Sequence, residues 1–383
     1  MKRLVVCFDG TWNNADSGVA DTNVARMARA VRATSGDVPQ LTLYLRGVGS
    51  TGIALQKLIE GATGEGIDDN IRSAYMFLAQ NYLPPEALPG YAGDEIFIFG
   101  FSRGAFSARS LAGFVGSCGL LKRQRLDAIA DAWTYYRKVR TRSPEDFASR
   151  IGGTAPNHPD IGIAFLGVWD TVGALGIPGT VLNRLTASDY QFHDTKPSRV
   201  VRIGRHALAI DEHRDEFEPT LWTAPAPAGC DIQQVWFPGA HSDVGGGYQQ
   251  LAGMSRLANA PLRWMADEAI QAGLALDEEM LPQPDECDAL APHHESRLNL
   301  SRKDRLTPTI RQMLGRVPDI GLLERLYQPM SEKGAKLQPV NESLHPSAAT
   351  RFGQPVLLLA NDADQKGETI TYAPKNLRAA LGR

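Results

Sequence analysis

An α/β fold, with a mostly parallel central sheet and helices on both faces, is what this sequence predicts, and three observations carry the prediction. Short β-forming runs recur along the first two thirds of the chain. Helical patterns, with apolar residues three and four apart, lie between several of them. One apolar run, at 94–99, leads straight into a Gly-x-Ser-x-Gly turn, and a helical segment leads straight out. Strands that alternate with helices in this way build parallel sheets covered on both sides.

Taken in order, the predicted strands are Leu4 to Phe8, Leu41 to Leu45, Glu95 to Phe99, Ile161 to Trp169 and Gln234 to Phe237. Helices are expected from Asn23 (NVARMARAVRAT), from Ile67 (IDDNIRSAYMFLAQNYL), and after Tyr248 in SRLANAPLRWMADEAIQAGLAL. Beyond about Pro282 prolines become frequent and the pattern weakens. The expected organisation is a catalytic domain over 1–280 and a C-terminal extension over 281–383 packed on it. The chain shows no internal repeat.

Bulk properties bound the class. The 383 residues are 43% apolar and 22% charged, which is globular usage with ample material for a core. Forty basic against 43 acidic residues leave a net charge of −3, which gives no electrostatic footing for nucleic acid. Cys7, Cys118, Cys230 and Cys287 are scattered without a CxxC pair, so neither a zinc site nor a disulfide framework is expected. The basic N-terminus with its short apolar run reads as a strand, because Asp9 interrupts it too early for a signal peptide. Residues 161–183 are the one stretch resembling a membrane span. They contain Asp170, Pro178 and five glycines, and read as a buried strand followed by an apolar loop.

The chemistry centres on Gly100-Phe101-Ser102-Arg103-Gly104. A serine at a sharp strand-to-helix turn adopts a strained backbone, so the residues two positions either side must be small. Gly100 and Gly104 meet that demand. Ser102 then presents its hydroxyl as a nucleophile, and the Arg103 N–H at the helix start faces a developing oxyanion.

A serine needs a base, and the base needs a carboxylate to orient it. His241, in the glycine-rich VWFPGAHSDVGGGY after a short apolar run, is the predicted base. Asp170, directly after the long run ending FLGVWD, is the predicted acid. The order Ser102, Asp170, His241 is that of the α/β-hydrolase fold. Asp243 is the rival acid, but lies only two residues from His241 and is better suited to holding the glycine loop through backbone N–H groups. The stretch HALAIDEHRDEFEP (206–219) reads as a solvated, salt-bridged surface, with His206 or His213 as a reserve base.

The N-terminal Asp9-Gly10-Thr11 raises a different chemistry, that of phosphatases with an Asp-x-Asp-Gly-Thr loop. There the first aspartate attacks, and here that position is Cys7. The loop is instead expected to supply the second oxyanion amide from Gly10–Thr11, with Asp9 bracing the turn. GATGEG (61–66) lacks the Walker lysine and carries no nucleotide reading.

Together, FDGTWNN, DTNVARM, YLRGVGS, GFSRGAFSAR, GVWDTVGALG, DEHRDEF and FPGAHSDVGGGY resemble, in this order, the bacterial α/β-hydrolases typified by the type VI secretion phospholipase effector catalytic domain. The resemblance spans roughly residues 3–276, and LHPSAATRF (344–352) extends it into the tail. It implies an ester hydrolase with serine, aspartate and histidine at Ser102, Asp170 and His241. No metal or cofactor is implied. The implied partners are a lipid or phospholipid substrate, with a secretion-system or immunity protein. Synthesis in the cytoplasm and delivery by the secretion system follow from the same likeness. Larger effectors of this kind carry a separate membrane-anchoring module, and this sequence has little beyond the catalytic region. It is therefore expected to be a compact effector, a paralogue, or a cytoplasmic hydrolase with another substrate. The competing readings are a small-ester or thioester hydrolase, an interaction protein on a hydrolase scaffold, and a metal-dependent phosphoesterase using Asp9 and Asp243. The apolar loop at 172–183 reads equally as the lining or lid of an acyl groove and as a plain packed loop, with Leu175 as the position that tests the groove reading.

Overall fold

The structure is a computed structural model that describes residues 1–10, 21–47, 65–139, 141–173, 197–248, 256–295, 307–331, 334–359 and 367–383. The first part of the chain gives seven strands to the central sheet: β1 (Arg3–Phe8), β2 (Thr34–Ser35), β3 (Val38–Leu45), β4 (Glu95–Phe101), β5 (Ile163–Trp169), β6 (Val201–Ala209) and β7 (Asp231–Phe237), beside a small separate pairing of Leu120–Leu121 with Asn157–His158. The later part adds β8 (His293–His294), β9 (Thr309–Arg311), β10 (Arg325–Tyr327), β11 (Glu342–Leu344), β12 (Pro355–Leu359) and β13 (Gly367–Thr371). The helices that matter here are α1 (Asn23–Ala30), α2 (Glu65–Asn81), α3 (Arg103–Cys118), α4 (Ile129–Lys138), α5 (Pro144–Ile151), α6 (His241–Gly245), α7 (Asn259–Gln271), α8 (Pro346–Arg351) and α9 (Lys375–Ala380).

Among the described residues an eight-stranded sheet runs in the order β11-β7-β6-β5-β4-β1-β3-β2. All its pairings are parallel except the β2–β3 hairpin. This is the expected α/β-hydrolase class of fold. Successive side chains of a strand point to opposite faces, and both faces here are covered. Leu4, Val6 and Phe8 of β1 enter one apolar layer with Ile96 and Ile98, against Tyr75 and Leu78 of α2 and Leu111 and Phe114 of α3. Val5 and Cys7 enter the other with Phe97 and Phe99, against Val24 and Met27 of α1 and Leu262 and Met265 of α7. That double coverage is why the central strands read as unbroken apolar runs. Full burial of a side chain such as Phe97 or Phe99 stabilises the fold by roughly 1.5–3 kcal/mol each.

Each predicted strand is present within two or three residues, but β6 was not anticipated. Arg202, Arg205 and His206 interrupt its apolar pattern. Arg205 is nonetheless buried, because Glu268 of α7 and Asp231 of β7 meet its guanidinium at 2.5 and 2.6 Å. The reading of 206–219 as a solvated surface is corrected by the same strand. His206, Asp211 and Glu212 are all buried, since this stretch is the end of a central strand and the turn beyond it.

Residues after Pro282 complete the sheet rather than trailing from it. Strand β11 pairs with β7, and Met313, Ala348, Val356, Tyr372 and Leu377 close a third apolar layer over Leu208, Ile210 and Trp236. Because the sheet is parallel, β1, β4, β5, β6 and β7 all end at one edge. The side chains that follow them, Asp9, Ser102, Asp170, Glu212 and His241, are therefore delivered to one place. Thr11, GATGEG up to residue 64, and 174–183 with Leu175 lie outside the described residues.

Candidate active site

Ser102 sits between β4 and α3 with φ +58° and ψ −124°. A non-glycine residue in this region costs on the order of 1–3 kcal/mol and persists only where its surroundings impose it. The glycines explain how. A Cβ on Gly104 would lie 2.3 Å from the Phe8 carbonyl oxygen and 2.4 Å from that of Asp9. The first turn of α3 thus rests directly on the backbone leaving β1. Gly104→Ala is expected to destabilise the fold by about 3 kcal/mol or more, because backbone on both sides would have to move. Denaturant unfolding measures this, and a loss under about 1 kcal/mol would contradict such close packing.

Asp170 follows β5, and the register pairs Phe101 with Trp169, so Ser102 and Asp170 leave adjacent strands at the same level. Asp170 is also held in the left-handed region, at φ +34°. Two strained residues side by side at a sheet edge are characteristic of functional sites. The Asp170 carboxylate is fully buried. Its Oδ2 lies 2.6 Å from His241 Nδ1, and its Oδ1 accepts the Ala209 N–H at 3.0 Å. Arg311 donates to both oxygens, at 2.7 and 3.2 Å. Burial alone would raise the Asp170 pKa, but Arg311 and then His241 outweigh it and hold the carboxylate well below its ordinary range. With Asp170 ionised, Nδ1 of His241 carries the proton and donates it, which leaves Nε2 as the basic nitrogen.

His241 opens α6, directly after the turn that follows β7. Its ring lies between Phe101 and Phe217, with centroids 4.6 and 4.7 Å away. Phe101 immediately precedes Ser102, so this contact sets the imidazole beside the serine turn. Gly245 makes the approach possible, since a Cβ there would fall 1.9 Å from the Phe101 ring. Burial lowers the His241 pKa, partly offset by the bond and charge of Asp170. Glu212, clamped by Arg214 at 2.8 and 2.9 Å, accepts the His241 backbone N–H at 3.3 Å.

Asp243 does not touch the His241 ring. Its Oδ2 accepts the N–H groups of Ala240 and His294, both at 3.0 Å, and its Oδ1 lies 2.8 Å from His294 Nδ1. It thereby holds the turn in front of His241. His206 accepts the Thr171 N–H at 3.1 Å, while burial and the Arg109 charge push it down to about 3. It is a neutral structural group. His213 lies 3.0 Å from the Thr309 carbonyl through Nδ1.

Asp9 is buried at the end of β1. It accepts from the Gly10 N–H at 2.6 Å, from Thr22 Oγ1 at 2.7 Å and from the Tyr44 hydroxyl. Thr22 also caps α1 by accepting the Ala25 N–H at 3.1 Å. The next residue, Asn23, reaches Val244 O in α6 at 2.9 Å. The DTN stretch therefore links the Asp9 turn to the helix that carries His241. Thr22, Tyr44 and Glu212 fall in DTNVARM, YLRGVGS and DEHRDEF, stretches that carry the family resemblance, but nothing local assigned them a role, and Arg311 lies outside every such stretch. Their roles depend on partners 13 to 141 residues away.

Comparison with known proteins adds to this geometry. An uncharacterised protein of Saccharomyces cerevisiae, YEL023C, is 30% identical over 247 residues, which are 59% of this chain and 33% of the yeast protein. The chain thus spans about a third of the length of that relative. Among solved structures, the Tle1 effector bound to the VgrG spike of the type 6 secretion system is 18% identical over 74% of this chain and 76% of that one, with a TM-score of 0.46. An uncharacterised Pseudomonas aeruginosa protein is 20% identical over 74% of this chain and 48% of its own, with a TM-score of 0.43. Residues 2–268 match the family described as the type VI secretion, Tle1-like phospholipase effector catalytic domain, and the chain belongs to that family.

Proposed function

We propose that the chain is a serine ester hydrolase that cleaves acyl esters of lipids or phospholipids through Ser102, His241 and Asp170. The observation that carries this reading is a buried, ionised Asp170 bonded to His241, whose ring packs on the residue preceding a strained Ser102. Nε2 of His241 takes the proton of Ser102 as Oγ attacks the acyl carbonyl. The tetrahedral oxyanion is met by the Arg103 N–H and by an amide of the Gly10–Thr11 turn. The Gly10 N–H is itself engaged by Asp9 at 2.6 Å, so the second donor expected from this turn is not Gly10 in the arrangement described, and Thr11 lies outside the described residues. Collapse breaks the ester C–O bond, and the leaving alcohol takes the proton from His241. Water then attacks the acyl-serine by the same route and releases the fatty acid. Family membership supports a lipid as the substrate and delivery by a type VI secretion apparatus; a secretion-system or immunity protein as partner is part of the same proposal.

The test is fatty-acid release from phosphatidyl vesicles beside hydrolysis of a short soluble ester, each with and without a chelator. Release from vesicles that a chelator leaves unchanged supports the proposal. Hydrolysis of the short ester alone favours the small-ester reading. Strong inhibition by the chelator would favour the phosphoesterase reading. Against that reading stands the geometry of its two acids, since protein donors surround both Asp9 and Asp243. No hydrolysis in any arm would favour an interaction protein.

A pH profile is also implied. His241 acts only when neutral, so kcat/KM rises with pH through its pKa and is then flat. Burial places that limb below the ordinary imidazole value of 6.5. A limb above about pH 7 would contradict the environment described for His241.

A further inference from the structure

We propose that Arg311 is a positioning residue of the Asp170–His241 pair, supplied to the active site by chain beyond the family-matched region. The match ends at 268, and Arg311 lies in β9, some forty residues further on. Its guanidinium is 1% exposed at the side chain and sits against a carboxylate at 0%. Both terminal nitrogens are fixed twice. Nη1 donates to Asp170 Oδ1 and to the Ala209 carbonyl, each at 2.7 Å. Nη2 donates to Asp170 Oδ2 at 3.2 Å and to the Phe217 carbonyl at 2.5 Å. The planar fork therefore locks the carboxylate plane to the backbone at the end of β6 and to the turn that carries Phe217, the ring packed on His241.

A charge so placed does two things. It fixes the carboxylate oxygen that orients His241, and it shares the negative charge that would otherwise act on the imidazole alone. Removing it raises the proton affinity of the Asp170–His241 pair. The Arg311 charge also lowers the pKa values of the nearby Glu212 and Glu218 carboxyls and of neutral His206, so these groups shift in the same direction when it is removed. Glu212 and Arg214 face His241 from the turn after β6, neutral His206 and then Arg109 of α3 lie behind Asp170, and Asp243 of α6 is engaged by His294.

The proposal rests on the serine-hydrolase reading, and its test separates the two. Wild type, Ser102→Ala, Arg311→Gln and Arg311→Lys are compared as full chains on a short soluble ester across about pH 5 to 9. Rates are normalised to folded protein by circular dichroism, and His241 is titrated independently by NMR of labelled histidine. Arg311→Gln is expected to lower kcat about 10–100-fold, the range seen when orienting partners of a reactive group are lost, with KM little changed. Its acid limb and its His241 titration both move to higher pH. Arg311→Lys keeps a cation but not the fork. It is expected to lose kcat while its acid limb stays near the wild-type position, and it serves if the glutamine variant does not fold. A variant with a lower melting temperature but wild-type kcat per folded molecule and an unmoved His241 titration would overturn the proposal. If wild type shows no Ser102-dependent hydrolysis while the His241 titration still moves in Arg311→Gln, the hydrolase reading fails and the role of Arg311 stands.

Discussion

Ser102→Ala is expected to lower ester turnover by at least ~10⁴-fold while leaving the protein folded. The size follows from the proposed role, in which no acyl-serine forms without Oγ and only binding and the proposed oxyanion donors remain. Stability should change little, because the exchange removes one hydroxyl and leaves the positive φ at that position occupied by another small side chain. The variant therefore isolates chemistry from folding. Fatty-acid release from vesicles and hydrolysis of a short ester should both vanish. A variant retaining a tenth of either activity would mean that another group attacks.

Asp170→Asn should cost about 10⁴-fold in kcat, and unlike the serine variant it should also weaken the fold. Asparagine tolerates the φ of +34° found there, so the backbone is not the cause. The loss arises because Arg311, with only 1% of its side chain exposed, would keep a buried charge without its counter-ion. Breaking one side of such a pair costs about 3–5 kcal/mol. The pH dependence has a definite sign. The Asp170 pKa is lowered on folding from its ordinary 3.8, so its contribution is present above that value and fades as pH falls through the folded one. Wild type and variant should converge in stability as the solution is acidified below about pH 4. Denaturant unfolding at several pH values checks this, and a gap that widened on acidification would refute the account of the pair.

Much of the site was legible because its chemistry is written in local patterns. Gly100 to Gly104 announces a tight strand-to-helix turn, FLGVWD announces a carboxylate at the end of a buried strand, and the glycines around His241 announce a loop that can fold closely about a ring. The strand β6 was not legible. Its Arg205 and His206 are polar residues that only their partners on other elements make fit for a core. The same failure turned 206–219 into an imagined surface, although Glu212 there holds the backbone of His241.

The amino-acid sequence by itself determined the fold class, the parallel order of the central strands' chemistry and the identity of Ser102, Asp170 and His241 as candidates, because periodicity, turn residues and motif spacing are local properties of the chain. Only the tertiary structure decided which carboxylate meets His241, what Asp9 braces, and that Arg311 reaches Asp170 across 141 residues of sequence. The physical reason is that hydrogen bonds and ion pairs extend over about 3 Å of space and have no fixed relation to distance along the chain. A buried arginine in a short strand looks like any other until the fold brings a carboxylate to it.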